Sequence, residues 1–118
     1  MSLEDKNIQL KALIVSLKKH AIENEAPLWK RIALELERPS RNTRAVNISR
    51  ISRYTKPDDV IIVPGKVLSS GELTHPVTVA AYAFSQTAAQ KISAKGKVEQ
   101  ILELAKKNPK GTNIKIIG

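Results

Sequence analysis

Hydrophobic residues in positions 1–40 recur every three or four residues, which is the spacing of amphipathic helices. The first stripe, within residues 4–22, consists of Leu10, Leu13, Ile14, Leu17 and Ala21. The second stripe consists of Trp29, Ile32, Ala33 and Leu36. Pro27 suits the first turn of the second helix, and Pro39 stops that helix. The pattern therefore predicts two short antiparallel helices packed as a hairpin.

Runs of β-branched and apolar residues further along the chain predict strands. Residues 60–63 form one such run, which Pro64 and Gly65 are expected to end. Residues 77–84 are expected to form a central strand, and Ile114 and Ile116 belong to a short final one. Residues 40–45 are polar and basic without apolar periodicity, so we expect them to be irregular.

Three further helices are predicted between and after these strands. The first runs through residue 54 with Asn47 as its cap, although the alternation of Val46 and Ile48 leaves a strand as the competing interpretation. The second is capped by Ser85, continues through residue 94 and ends at Gly96. The third helical stripe comprises Val98, Ile101, Leu102 and Ala105.

This alternation of strands and helices predicts an α/β fold with a small, partly parallel sheet. A length of 118 residues is that of one domain. We divide it into a helical extension at residues 1–38, a basic connector at 39–45 and an α/β core at 46–118. No long flexible linker separates these parts.

Composition excludes several kinds of site. The chain has no cysteine, so it can form neither disulfides nor zinc–thiolate sites, and it has only two histidines, His20 and His75. The residues around Gly65 and Gly96 match no phosphate-binding loop or dinucleotide fingerprint. We therefore expect no cofactor, no metal and no enzymatic activity. Both histidines are expected to be structural or exposed.

The sequence also predicts where the protein acts. No apolar run reaches the roughly 18 residues that a bilayer span requires, and the first seven residues include acids where a signal peptide is positive. We expect a cytoplasmic protein without membrane contact.

Positive charge is the unusual property of this chain, because 20 Lys and Arg against 11 Asp and Glu give a net charge of +9. All arginines lie between positions 31 and 53, and residues 38–57 contain no acid. Guanidinium groups without acidic partners in the chain indicate a polyanionic ligand, of which nucleic acid is the commonest. A solvated basic loop is the alternative. Tyr82 and Phe84, predicted on one strand face, are expected in the core, so recognition of RNA backbone and shape is favoured over base stacking.

Residues 38–55 and 60–92 together resemble a ribosomal family. The match is strongest at residues 64–68, Gly71, residues 77–79 and residues 108–111. It covers most of the chain from Trp29 on and is similar to large-subunit ribosomal protein eighteen-e of archaea and eukaryotes, a distant relative of bacterial large-subunit protein fifteen. Because the chain is short and lacks extensions, the resemblance is to the archaeal form.

The resemblance implies a non-enzymatic protein of the large subunit, with irregular β-β-α repeats in a small mixed sheet after the helical hairpin. Its partner would be large-subunit ribosomal RNA, with neighbouring ribosomal proteins as further candidates, and it would act as a monomer within the ribosome. The RNA-contacting set carried over by position is Arg38, Arg41, Arg44, Asn47, Arg50, Arg53 and, in a glycine turn, Lys66. Further basic candidates are Lys56, Lys95, Lys97 and Lys110.

Two other functions remain open on sequence grounds. A DNA-binding or chromatin protein would carry similar charge, but residues 47–54 are the only short basic helix that could read a groove. A small RNA-modifying enzyme would need an acid or base in a pocket, and no residue of the chain stands out for that role.

Overall fold

The computed structural model describes residues 3–38 and 45–117, with side chains from Leu10 onward in the first helix. The helices are α1 (Leu3–Glu23), α2 (Pro27–Glu37), α3 (Ile48–Tyr54), α4 (Gln86–Lys95) and α5 (Ile101–Lys107). The strands are β1 (Ala45–Asn47), β2 (Asp59–Leu68), β3 (Val77–Phe84), β4 (Lys97–Gln100) and β5 (Ile114–Ile116). The predicted α/β class with an N-terminal helix pair is confirmed.

The five strands form one sheet in the order β1-β2-β3-β4, with β5 also paired to β2. Every strand pair in the described ranges is parallel, where the sequence predicted a mixed sheet. β2 has three neighbours, because β5 pairs with its first half at residues 60–62 and β1 with its last part at residues 66–68. The other side of β2 pairs with β3 along most of its length.

Alternation along β2 and β3 gives the sheet two apolar faces, each covered by helices. Ile62 and Ala80 lie on the face that contacts α1, α2 and α5, and we call this cluster the hairpin-side core. Ile61 and Val79 lie on the opposite face, in a cluster with α3 and α4. The molecule is therefore a three-layer α/β arrangement whose basic helix α3 lies on the face opposite the hairpin.

The helical hairpin forms as predicted and closes the first face. Pro27 is at the first helical position of α2, and Trp29 is fully buried between the helices and the sheet. The indole Nε1 of Trp29 donates to the carbonyl of Pro109, 2.9 Å away. This bond fastens the hairpin to the loop after α5.

β2 does not end at Pro64 and Gly65, as the sequence predicted, but continues through them to Leu68. The pairing register with β3 shifts between Val63 and Lys66. A proline cannot donate to a sheet ladder, but a bulge accommodates it because pairing resumes beyond the irregular residues. Lys66 therefore lies in a strand rather than in a glycine turn.

The predicted helical stripe beginning at Val98 was wrong in its first turn. Residues 97–100 form β4, which pairs with β3, and α5 begins at Ile101. Val98 packs on the α3 side of the sheet, whereas Ile101 belongs to the hairpin-side core. Helical spacing joined residues that contact opposite faces. Tyr82 and Phe84 likewise pack against different faces, not one as predicted.

The two interpretations of residues 46–54 each hold for a part. Ala45–Asn47 is a strand, which corrects the prediction that Ala45 is irregular, and α3 follows directly. Asn47 occupies the N-cap position, but its side chain makes no capping hydrogen bond. The remaining connector residues, 39–44, lie outside the described ranges.

Residues 69–76 connect β2 to β3, which is short for two parallel strands. Eight residues span roughly 26 Å at most when nearly extended, so this crossover must run almost straight back across the sheet. It does so beside α3, where the Ser49 amide donates to the Ser70 carbonyl (3.1 Å) and the Thr74 amide to the Ser52 hydroxyl (3.1 Å). Among the helices of the described part, none has the length and apolarity needed to cross a membrane.

Candidate nucleic-acid interface

α3 presents a basic outer face because its apolar residues are fixed in the core. Ile48 and Ile51 are fully buried, and the intervening Arg50 and the following Arg53 are exposed. The guanidinium carbon of Arg50 lies 5.9 Å from the centroid of the Tyr54 ring. Neither arginine forms an ion pair with any carboxylate of the described residues, so both charges face solvent.

Four of the predicted RNA-contacting residues lie where the parallel strands begin. Arg53 is in the last turn of α3, Lys56 precedes β2, Lys95 ends α4 and Lys97 starts β4. We call these four residues the amino-edge cluster. All four are exposed, and no carboxylate in the ranges described here forms an ion pair with them. The cluster combines residues that are up to 44 positions apart in the chain.

Gly96 brings the end of α4 against the start of β3. A Cβ at this position would lie 2.0 Å from the carbonyl oxygen of Val77. No side chain fits there, so the glycine both ends the helix and allows Lys95 and Lys97 to flank a tight contact with the sheet edge. The predicted role of Gly96 as the helix end is confirmed.

The nearest acid at this edge already has partners. The carboxylate of Asp59 accepts from the backbone amide of Lys56 at 2.8 Å and from the ammonium of Lys115 at 3.0 Å. These two bonds, the amide first, hold the pKa of Asp59 below its ordinary value. Asp59 therefore stays ionised while leaving the four cations of the amino-edge cluster to other anions.

His75 has partners that the sequence did not reveal. Its Nε2 lies 2.7 Å from the Thr55 hydroxyl, and its Nδ1 lies 3.1 Å from the Thr74 hydroxyl. Thr55 already donates its only hydroxyl hydrogen to the carbonyl of Ile51 (2.6 Å), so Nε2 must be the donor. The ring thus ties the crossover to the end of α3, a structural role.

His20 is also structural. It lies in the last turn of α1, edge-on to the Trp29 ring with the centroids 6.0 Å apart. In the described part of the chain, no three His, Asp or Glu side chains gather where they could hold a metal ion.

Lys91 is a cation that sequence reasoning did not single out. Its ammonium donates to the carbonyls of Ser69 and Gly71 and to the carboxylate of Glu72, each at 3.0 Å. It therefore fastens the crossover to α4. No sequence signal pointed to this contact, since its partners are about 20 residues away and two of them are backbone atoms.

The other predicted site residues do not join the amino-edge cluster. Lys66 is exposed and pairs in register with both Ala45 and Ala83, toward the opposite end of β2. Asn47 is half-buried at the end of β1, beside Leu68. The predicted residues therefore divide between the two ends of the sheet.

Two of the predicted basic residues have partners within the chain. The guanidinium of Arg38 lies 3.8 Å from the carboxylate of Glu35. The ammonium of Lys110 donates to the Asn24 carbonyl at 2.8 Å, and so holds the turn between α1 and α2. Arg41 and Arg44 lie outside the described residues.

Comparison with known proteins places this interface in a family context. The family model that describes the ribosomal proteins 50S-L15 and 50S-L18e together with their 60S counterpart matches residues 27–99. That range contains α2 through most of β4 and every residue of the amino-edge cluster. Lys110 lies beyond it.

Individual relatives match over almost the whole chain. A large ribosomal subunit protein eL18 of Archaeoglobus fulgidus is 46% identical over 112 residues, which are 94% of this chain and 96% of the relative. The protein of the same name from Methanoregula boonei is 47% identical over 117 residues, 98% and 97% of the two chains. That of Methanococcus maripaludis is 47% identical over 106 residues, 89% and 88% of the two chains.

Proposed function

Because the chain belongs to the family of ribosomal proteins 50S-L15 and 50S-L18e and their 60S counterpart, we propose that it is a structural component of the large ribosomal subunit and binds large-subunit ribosomal RNA. The family consists of ribosomal proteins rather than enzymes, and we assign this chain no catalytic step. In this role it acts as a monomer in the cytoplasmic ribosome. Neighbouring ribosomal proteins are its other candidate partners.

The observation that carries RNA binding is the amino-edge cluster of Arg53, Lys56, Lys95 and Lys97. In the described ranges, carboxylates pair with lysines elsewhere, such as Lys18 and Lys107, and not with these four. Exposed cations on a rigid sheet edge, without internal counterions, suit the regularly spaced phosphates of a folded RNA.

The arginine-rich segment would supply a second contact region. Arg41 and Arg44 lie in residues 39–44, which join the described structure at Ala45, and Ala45 pairs in register with the exposed Lys66. We propose that this segment and Lys66 contact RNA together, and that Asn47 and Arg38 lie at its margins. If five or six side chains neutralise phosphates, the logarithm of the binding constant falls with the logarithm of salt concentration at a slope of about −4 to −5.

A pair of matched double variants tests the amino-edge cluster. Lys95→Ala with Lys97→Ala removes two unpaired lysines, whereas Lys18→Ala with Lys19→Ala removes two lysines that pair with Glu37 and Glu23. Both variants lose the same formal charge. Binding to a transcript of the Archaeoglobus fulgidus large-subunit RNA is measured at several salt concentrations, with duplex DNA as competitor.

The first variant should bind RNA more weakly, with a salt slope shallower by about 1 to 2, and the second should bind like the parent chain. Melting temperatures of both should stay close to the parent's. Equal losses in the two variants would mean that only net charge matters and would contradict the proposed site. Equal competition by duplex DNA and RNA would favour the DNA-binding alternative.

A further inference from the structure

Tyr54 differs from the other large aromatic residues of this chain in its exposure. The chain contains one Trp, one Phe and two Tyr, all within the described ranges. Trp29 is fully buried, and Tyr82 and Phe84 pack against the two apolar faces of the sheet. Tyr54 remains 58% exposed although nothing in its sequence position requires an aromatic ring there. Its ring therefore has a surface to offer that the core does not use.

The ring is held in place from below and bordered by cations. Ile51 in the preceding turn and Thr55 directly after it are buried, so the backbone of residue 54 is fixed. The guanidinium of Arg50 lies over the ring, 5.9 Å from its centroid, which favours one orientation of the aromatic plane. Arg53 and Lys56 flank it in the sequence, and neither has a carboxylate partner in the described part.

This combination fits an unpaired nucleotide better than a protein side chain. Base–aromatic stacking works with every base, because each has a π-face, and an arginine beside the ring adds a cation–π contribution. The neighbouring cations would meet the phosphates on either side of that base. A protein partner would need an apolar contact for the ring and carboxylates for three cations at the same place.

We propose that Tyr54 is a stacking platform for one unpaired base of the bound RNA, with Arg50 supporting the ring. The inference rests on the proposed RNA-binding function and extends it from backbone recognition to one base contact. It predicts a contribution to affinity that does not depend on salt, since stacking neutralises no phosphate.

Two substitutions at the same position separate ring from bulk. Tyr54→Phe keeps the aromatic face, whereas Tyr54→Leu keeps an apolar side chain without it. The control is Ile22→Ala, because Ile22 is an exposed apolar residue (79%) on the helical hairpin, away from α3. The probe is the transcript of the Archaeoglobus fulgidus large-subunit RNA, with binding measured over a range of salt concentrations and melting temperature recorded for each variant.

Tyr54→Phe and Ile22→Ala should bind within about twofold of the parent chain, and Tyr54→Leu about 5- to 100-fold more weakly. The salt slope should be the same for all of them, in contrast to Arg53→Ala, which should make it shallower by about 1. Ultraviolet irradiation of the parent complex should crosslink Tyr54 to a nucleotide, detected by mass spectrometry of the digested complex.

Parent-like binding by Tyr54→Leu, or the absence of a crosslink at Tyr54 in a parent complex that forms, would overturn the stacking proposal while leaving RNA binding intact. An effect of Tyr54→Leu seen only within assembled subunits would assign the ring to a protein neighbour and would also overturn it. If the parent chain itself does not bind the transcript, the proposed function fails and the stacking site with it.

Discussion

Single residues in this protein are constrained mostly by contacts with distant parts of the chain. Gly96 fits against Val77 with no room for a side chain, and Lys91 donates to two carbonyls and a carboxylate of the crossover. The sequence predicted that Gly96 ends a helix, because a glycine after a helical pattern is a local signal. It could not predict the partners of Lys91 or His75, because those partners are about 20 positions away and include backbone atoms.

Gly96→Ala should destabilise the fold because its Cβ would overlap the Val77 carbonyl oxygen and force the end of α4 away from β3. We expect a loss of about 1–3 kcal/mol in the free energy of unfolding, the usual cost of overpacking. Urea denaturation measures this loss. Ser93→Ala, at an exposed position of the same helix, is the control and should change stability by less than about 0.5 kcal/mol. A parent-like midpoint for Gly96→Ala would show that the helix end tolerates displacement.

Elements were predictable where one type of periodicity extends over the whole element. The hairpin helices, β3 and β5 follow their patterns closely, since each contacts one core or lies inside the sheet. Prediction failed where the chain changes its environment within a few residues. β2 passes through Pro64 and Gly65 by a shift in register, and residues 97–101 change from strand to helix between the two faces of the sheet. A local pattern does not contain these tertiary contacts.

The crossover at residues 69–76 depends on α3 and α4 for its path, and Lys91 provides three of its bonds. Lys91→Ala should lower stability by about 1–2 kcal/mol, since the lost hydrogen bonds are charge-assisted but partly exposed. It should also reduce hydrogen-exchange protection of the Ser49 and Thr74 amides, whose hydrogen bonds join α3 to the crossover. The matched control is Lys106→Ala, an exposed lysine of α5. Unchanged exchange at these two amides would contradict the role assigned to Lys91.

At the scale of the whole molecule, positive charge is separated from its internal counterions. Among described residues, the ion pairs lie on the hairpin, at α4 and α5 and at the Asp59–Lys115 contact, while α3 and the amino-edge cluster have none. The sequence predicted an arginine-rich binding region, and Arg50 and Arg53 are indeed exposed on one helix. It could not predict that Lys95 and Lys97 share the sheet edge with Arg53, because only the parallel topology brings these segments together.

The central claim is that these cations have their counterions in one defined RNA. Crosslinking the protein to nucleic acid in living cells, followed by sequencing of the attached fragments, tests it most directly. The account predicts reads concentrated in one region of the large-subunit ribosomal RNA, and fewer of them for the Lys95→Ala, Lys97→Ala variant than for the parent chain. Reads distributed over messenger RNA, transfer RNA or genomic DNA, without enrichment in that ribosomal RNA, would contradict it.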